Sequence, residues 1–149
     1  MNAINFKLFL EFEEKKNVEN TVNKLPKAHQ DLLKGYHINF TGRNTLNGDK
    51  NHIGFIYKNK IEVSAPWRYS REFTVLHEIG HLIYEKLMTK ELKKEWAKVA
   101  KKNNKQNQDN DEENFCMAYA ATYSKHPPTT HSHPEWVKFI KERVPNKND

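Results

Sequence analysis

One cysteine, Cys116, is all the chain contains, so no intramolecular disulfide can form and a disulfide-stapled secreted scaffold is excluded. A reducing compartment suits such a chain, and a cytoplasmic location is the expectation. Long hydrophobic runs are missing as well: nothing approaches the roughly 18 uninterrupted apolar residues of a membrane span. The apolar stretch from Ile4 to Phe12 is interrupted by Asn5, Lys7 and Glu11, with no basic leader before it and no small-residue cleavage site after it, so it does not read as a signal peptide. Apolar residues make up only 36% of the sequence against 30% charged, which assigns residues 101–112 and 145–149 to surface insertion or tail. The 149 residues still suffice for a single domain with its own core.

What is abundant is lysine, and it gives a formal charge of +6 and a pI near 9.3. Between Lys86 and Lys105 the lysines are interleaved with Glu85, Glu91 and Glu95, the pattern of a solvated helix face. No nucleic-acid reading motif accompanies the charge, so nucleic acid is not the expected partner.

The punctuation predicts an α+β domain. Residues 1–35 read as helical, with Phe9, Phe12, Val18, Val22 and Leu25 at spacings of three to six, Pro26 opening a helix and Gly35 ending one. The alternation from Ile4 to Phe12 also fits a strand. Residues 36–64 change to period two through Tyr36, Ile38 and Phe40, then Ile53, Phe55 and Tyr57, then Ile61 and Val63, with turns at Gly42 to Asp49 and at Lys58-Asn59-Lys60. This predicts a small, mainly antiparallel sheet, an edge of which can accept an extended peptide as an added strand.

Residues 70–88 then read as a helix capped by Ser70, with Phe73, Val75, Leu76, Ile79, Leu82, Ile83 and Leu87 around most of its circumference. Such a helix is buried, and ionisable groups inside it need partners or a metal. Residues 89–100 form an amphipathic helix through Leu92, Trp96 and Val99. An Asn/Gln loop follows at 103–110, a helix at 112–124, and after Pro127-Pro128 a last helix opening at Pro134 with Trp136, Phe139 and Ile140.

His77-Glu78-Ile79-Gly80-His81 is an H-E-x-x-H string. Spacing of four brings both imidazoles to one face, about 5–6 Å apart at Cβ, within reach of one ion. Glu78 leans toward the same side, placed to take a proton from a water that zinc acidifies. With 8 histidines in the chain, shuffled order yields the string roughly 4% of the time, so context carries the argument. That context is the apolar helix, Gly80 tolerated inside it at a cost of about 1 kcal/mol, and a third ligand. The H-E-x-x-H-x-x-G-x-x-H pattern fails, because Tyr84 and Leu87 stand where it needs glycine and histidine. A carboxylate from the 112–124 helix is the alternative: Glu113 first, Glu112 next, although both also read as acidic residues favoured at a helix N-terminus. His131-Ser132-His133 reads as surface rather than a second site.

From about Leu33 to Ile140 the chain resembles the catalytic domain of the anthrax lethal factor and Pro-Pro endopeptidase group of gluzincins. There H-E-x-G-H is followed some thirty to forty residues later by E-x-x-A-x-x-F, matched here by Glu113-Asn114-Phe115-Cys116-Met117-Ala118-Tyr119. Phe73 to His81 and Glu113 to Ala121 are also similar to phage and mobile-element metallopeptidases that cleave repressors. Both resemblances imply a zincin-like fold, one zinc ion held by His77, His81 and Glu113, Glu78 as general base, and a peptide or protein substrate. The group's oxyanion-stabilising tyrosine, seven residues before the ligand glutamate, is replaced by Gln106. Tyr123 is the first candidate for that role, ahead of His126, His131 and His133, and removal of such a donor costs about 2.7–4 kcal/mol in other hydrolases. Met117 stands where the group often carries an acidic residue that orients a ligand histidine. The expectation is a zinc endopeptidase, with two alternatives: a regulatory peptidase that cuts one repressor, and a catalytically idle zinc-binding structural protein.

Overall fold

The computed structural model describes residues 15–40, 54–63, 71–102, 110–125 and 133–145. Helix α1 covers residues 15–23, and α2 (Lys27–Leu32) starts directly after Pro26, whose fixed φ suits a helix entry. Gly35, at φ +90°, turns the chain into β1 (His37–Phe40). Strands β2 (Gly54–Tyr57) and β3 (Lys60–Val63) form a hairpin whose first turn residue, Lys58, takes a left-handed φ of 53°. Four helices complete the order: α3 (Arg71–Lys86), α4 (Lys90–Lys102), α5 (Asp111–Tyr123) and α6 (Pro134–Glu142). The strand-or-helix question at Ile4–Phe12, the position of Ile53 and the Ser70 cap lie outside the described residues.

The architecture is α+β and mostly helical, but the sheet departs from expectation. It is mixed, in the order β1-β3-β2, with β2 antiparallel to β3 and β1 parallel to it. Period two reports which face of a strand is buried and is silent on the direction of its neighbour. The local hairpin fixes the antiparallel pair, whereas β1 skips past β2 to lie beside β3. Central β3 buries Ile61 and Val63 completely and sets that face on α3.

Helices α3 and α5 form the most extensive packing pair and the centre of the molecule. Phe73, Leu76, Ile79 and Ile83 meet Phe115, Ala118, Tyr119 and Ala120 in one core that continues through Trp96, Trp136 and Ile140. Trp96 lies edge-on to Phe115 and Trp136, and its Nε1 donates to the Asp111 carbonyl at 2.8 Å, which fixes α4 against the start of α5. At the other end, Glu72 accepts from Ser124 Oγ, the Lys125 amide and Thr21 Oγ1 at 2.7, 2.9 and 2.7 Å. One carboxylate thereby joins α1, the start of α3 and the end of α5. The helices run antiparallel, so the start of α5 faces the second half of α3. Among the described residues no helix is long and apolar enough to cross a membrane.

Candidate metal centre

The site forms where α3 and α5 approach most closely. Gly80 permits the approach: a Cβ built there would stand 3.0 Å from Cys116 Cα and 3.3 Å from its Cβ, closer than helix backbones tolerate without moving apart. Flanking that contact, His77 and His81 present their rings with centroids 5.3 Å apart, as the spacing of four requires. Opposite them stands the first turn of α5. Asn110 caps this helix by accepting from the Glu113 amide at 2.8 Å, and Asp111, Glu112 and Glu113 occupy the turn where the helix dipole favours negative charge.

Glu113 bridges the two imidazoles. Its Oε2 is 3.2 Å from His77 Nε2 and its Oε1 is 3.0 Å from His81 Nε2. Each ring is held at its other nitrogen as well: His77 Nδ1 lies 3.2 Å from Met117 Sδ, and His81 Nδ1 lies 3.4 Å from Glu112 Oε1. Of the two partners of His77 the carboxylate is the stronger acceptor and thioether sulfur a weak one, so Nε2–H donates to Glu113 and Nδ1 rests against Met117. The two glutamates that the sequence offers as alternatives therefore take different places. Glu113 sits between the Nε2 atoms, and Glu112 sits behind His81.

Electrostatics follow from this packing. Burial alone would lower His81, but its hydrogen bond to Glu113, the nearby charges of Glu78 and Glu113, and the contact with Glu112 outweigh burial and raise its pKa to about 9. Hydrogen bonds from His77 and His81 hold the Glu113 carboxyl well below the usual carboxylate range. Glu78, next to His77, is buried at 8% exposure, and its charge reaches His81. Burial pushes the Cys116 thiol up, reinforced by the charges of Glu113, Glu78 and Glu112.

His77, His81 and Cys116 form a group able to hold a metal ion, with one ligand atom from each and all three within 4.8 Å of one another. Cys116 is the member that sequence reasoning missed, although its place three residues after Glu113 puts it on the same face of α5. Glu113 adds an oxygen within 3.2 Å of both imidazoles. Two imidazoles with the Glu113 carboxylate make a chemistry that fits zinc or another borderline first-row ion, and the buried Cys116 thiol is a softer donor on the core side of the same pair.

Tyr123 stands elsewhere. It lies ten residues after Glu113, about 15 Å along the helix axis, and its ring packs on Tyr119 and edge-on to His29 with centroids 4.9 and 6.2 Å away. Burial raises its pKa to about 12. It is the last residue of α5, at the end opposite the turn that carries Glu113. His133 precedes α6 and packs on Trp136, while Gln106, His126 and His131 lie outside the described residues. Tyr84, one turn beyond His81, faces the start of α5, where burial and then the charges of Asp111 and Glu112 raise its pKa. Its ring rests on Phe115, with Lys93 Nζ 4.8 Å from the centroid.

No family model matches the chain, and no curated protein or solved structure matches it.

Proposed function

We propose that the protein is a zinc-dependent endopeptidase of zincin type, with His77, His81 and Glu113 as metal ligands and Glu78 as general base. The observation that carries this reading is the convergence of both Nε2 atoms on the two oxygens of Glu113, at 3.2 and 3.0 Å. Two imidazoles and one carboxylate make the ligand set of a catalytic zinc site that leaves a coordination position for solvent. Zinc, when bound, supplies Lewis acidity, polarising a carbonyl and bringing the pKa of a water in its coordination sphere to about 7.

The chain's own residues supply the rest. Glu112 holds His81 at Nδ1, and Met117 meets His77 at the same atom, so both rings are oriented before any ion arrives. Glu78 takes the proton of the water that attacks the scissile carbonyl, and returns it to the amide nitrogen as the C–N bond breaks. The peptide is the proposed substrate; cleavage of one repressor is the narrower version of the same chemistry, implied by the resemblance of Phe73–His81 and Glu113–Ala121. A catalytically idle, zinc-stabilised protein is the second reading, favoured by the place of Tyr123 at the end of α5 opposite Glu113, about 15 Å along the helix axis.

Glu78→Gln separates the two. In the enzyme, zinc content and unfolding midpoint stay at wild-type values while peptide hydrolysis falls by at least about a thousandfold. Hydrolysis that persists in the variant contradicts the mechanism, and a wild type that hydrolyses no peptide in a proteome-derived library supports the idle protein.

A further inference from the structure

The imidazole pair has a second neighbour that peptide hydrolysis does not use. Cys116 lies one turn beyond Glu113 on α5 and is completely buried. Its Sγ and one nitrogen from each of His77 and His81 all lie within 4.8 Å of one another. Gly80 is what admits the sulfur between the helices, since a Cβ at that position would stand 3.4 Å from Sγ. The rings therefore have an oxygen donor toward solvent, Glu113 with its side chain 40% exposed, and a sulfur donor toward the core.

Donor softness decides which ion each set takes: imidazole with carboxylate suits zinc and harder first-row ions, while thiolate selects polarisable, thiophilic ions. We propose that His77, His81 and Cys116 form a second binding mode that captures a thiophilic ion such as Cd2+ and excludes zinc from the set completed by Glu113. This rests on the reading of the imidazole pair as a metal site. On capture the Cys116 thiol releases its proton to solvent and a sulfur–metal bond replaces S–H, so no oxidant or reductant takes part. The modes share both imidazoles and cannot be filled together. Thiophilic ions thus act as competitive regulators of the hydrolytic site, through a residue that the hydrolysis itself does not need.

The test uses the full-length, metal-free protein, titrated with Cd2+ and separately with Zn2+ against a competing chelator, while near-ultraviolet absorption reports sulfur-to-cadmium charge transfer. Wild type develops the band to a plateau. Cys116→Ala loses the band and binds cadmium at least about tenfold more weakly, while its zinc affinity stays within about threefold. Cys116→Ser gives the same pattern with a closer match in volume. Cadmium binding by wild type without the band, or undiminished in both Cys116 variants, overturns the proposal. Failure of the underlying reading looks different: zinc affinity that survives Glu113→Gln but collapses in Cys116→Ala makes the thiol the zinc ligand, and indifference of both ions to His77→Ala removes the metal site itself.

Discussion

Glu112 and Glu113 are adjacent residues of one type, and the helix assigns them unlike tasks. Successive residues on a helix point about 100° apart, so only Glu113 reaches both Nε2 atoms while Glu112 passes beside His81 to its Nδ1. Substitution should separate them. Glu113→Gln loses a charged ligand and weakens zinc binding by well over about a hundredfold, whereas Glu112→Gln, which removes an outer partner, weakens it by about tenfold. Chelator competition on the two variants measures the ratio, and equal losses would contradict the division of roles. At this scale the string His77-Glu78-x-x-His81 was legible, because i and i+4 adjacency is built into a helix. Glu113 ranked ahead of Glu112 in the sequence, but the different contacts of the two with the imidazoles were not legible, since these depend on the rotation of α5 against α3. The place of Tyr123 was not legible for a related reason: aromatic identity says nothing about the 15 Å or so of helix that separate it from Glu113. Met117 beneath His77 came from the same unseen rotation.

Between elements, the contact that matters is α3 against α5. Its closeness comes from Gly80 facing Cys116, with a virtual Cβ only 3.0 Å from backbone. Alanine at position 80 gains about 1 kcal/mol of helix propensity yet must push α5 outward, and overpacking of this kind costs about 1–3 kcal/mol. Gly80→Ala is expected to lower the unfolding midpoint by about 2–4 °C, and to weaken zinc binding as Glu113 retreats from the imidazoles. A raised midpoint with unchanged zinc affinity would show that the contact does not set the site. Helix positions were readable to within a residue or two, as at Asp111–Tyr123 and Pro134–Glu142, because caps, prolines and apolar periodicity are local signals. The parallel pairing of β1 with β3 was not, since strand neighbours are chosen by tertiary packing.

For the molecule as a whole, a buried histidine outside the His77–His81 pair ties distant segments together. His29 is fully buried, with Nδ1 2.9 Å from Tyr119 Oη and Nε2 2.7 Å from the Pro145 carbonyl. Nε2–H donates to that carbonyl, so Nδ1 accepts from the tyrosine, and α2, α5 and the segment after α6 are tied together. Burial lowers the pKa of His29, more than the Pro145 carbonyl raises it. The sign follows: the unfolded chain takes up a proton near pH 6.5 and the folded one resists it, so this stability is present above that pH and is lost as pH falls through the lowered folded value. The unfolding midpoint should therefore drop between pH 7 and pH 5, and His29→Gln should flatten that drop at the cost of a lower midpoint at pH 7. An unchanged slope would place the acid sensitivity elsewhere. Composition announced a polar chain; nothing in it announced which of 8 histidines would serve the core, because a buried imidazole and a ligand imidazole look alike until their neighbours are known.

The claim on which the rest depends is that His77, His81 and Glu113 hold one ion together. Elemental analysis of protein purified without added metal, beside His77→Ala, His81→Ala and Glu113→Gln, tests it most directly. The expected result is about one zinc per chain in wild type and a small fraction of that in each variant. Wild type free of stoichiometric metal even after incubation with zinc, or Glu113→Gln retaining a full equivalent, would contradict it.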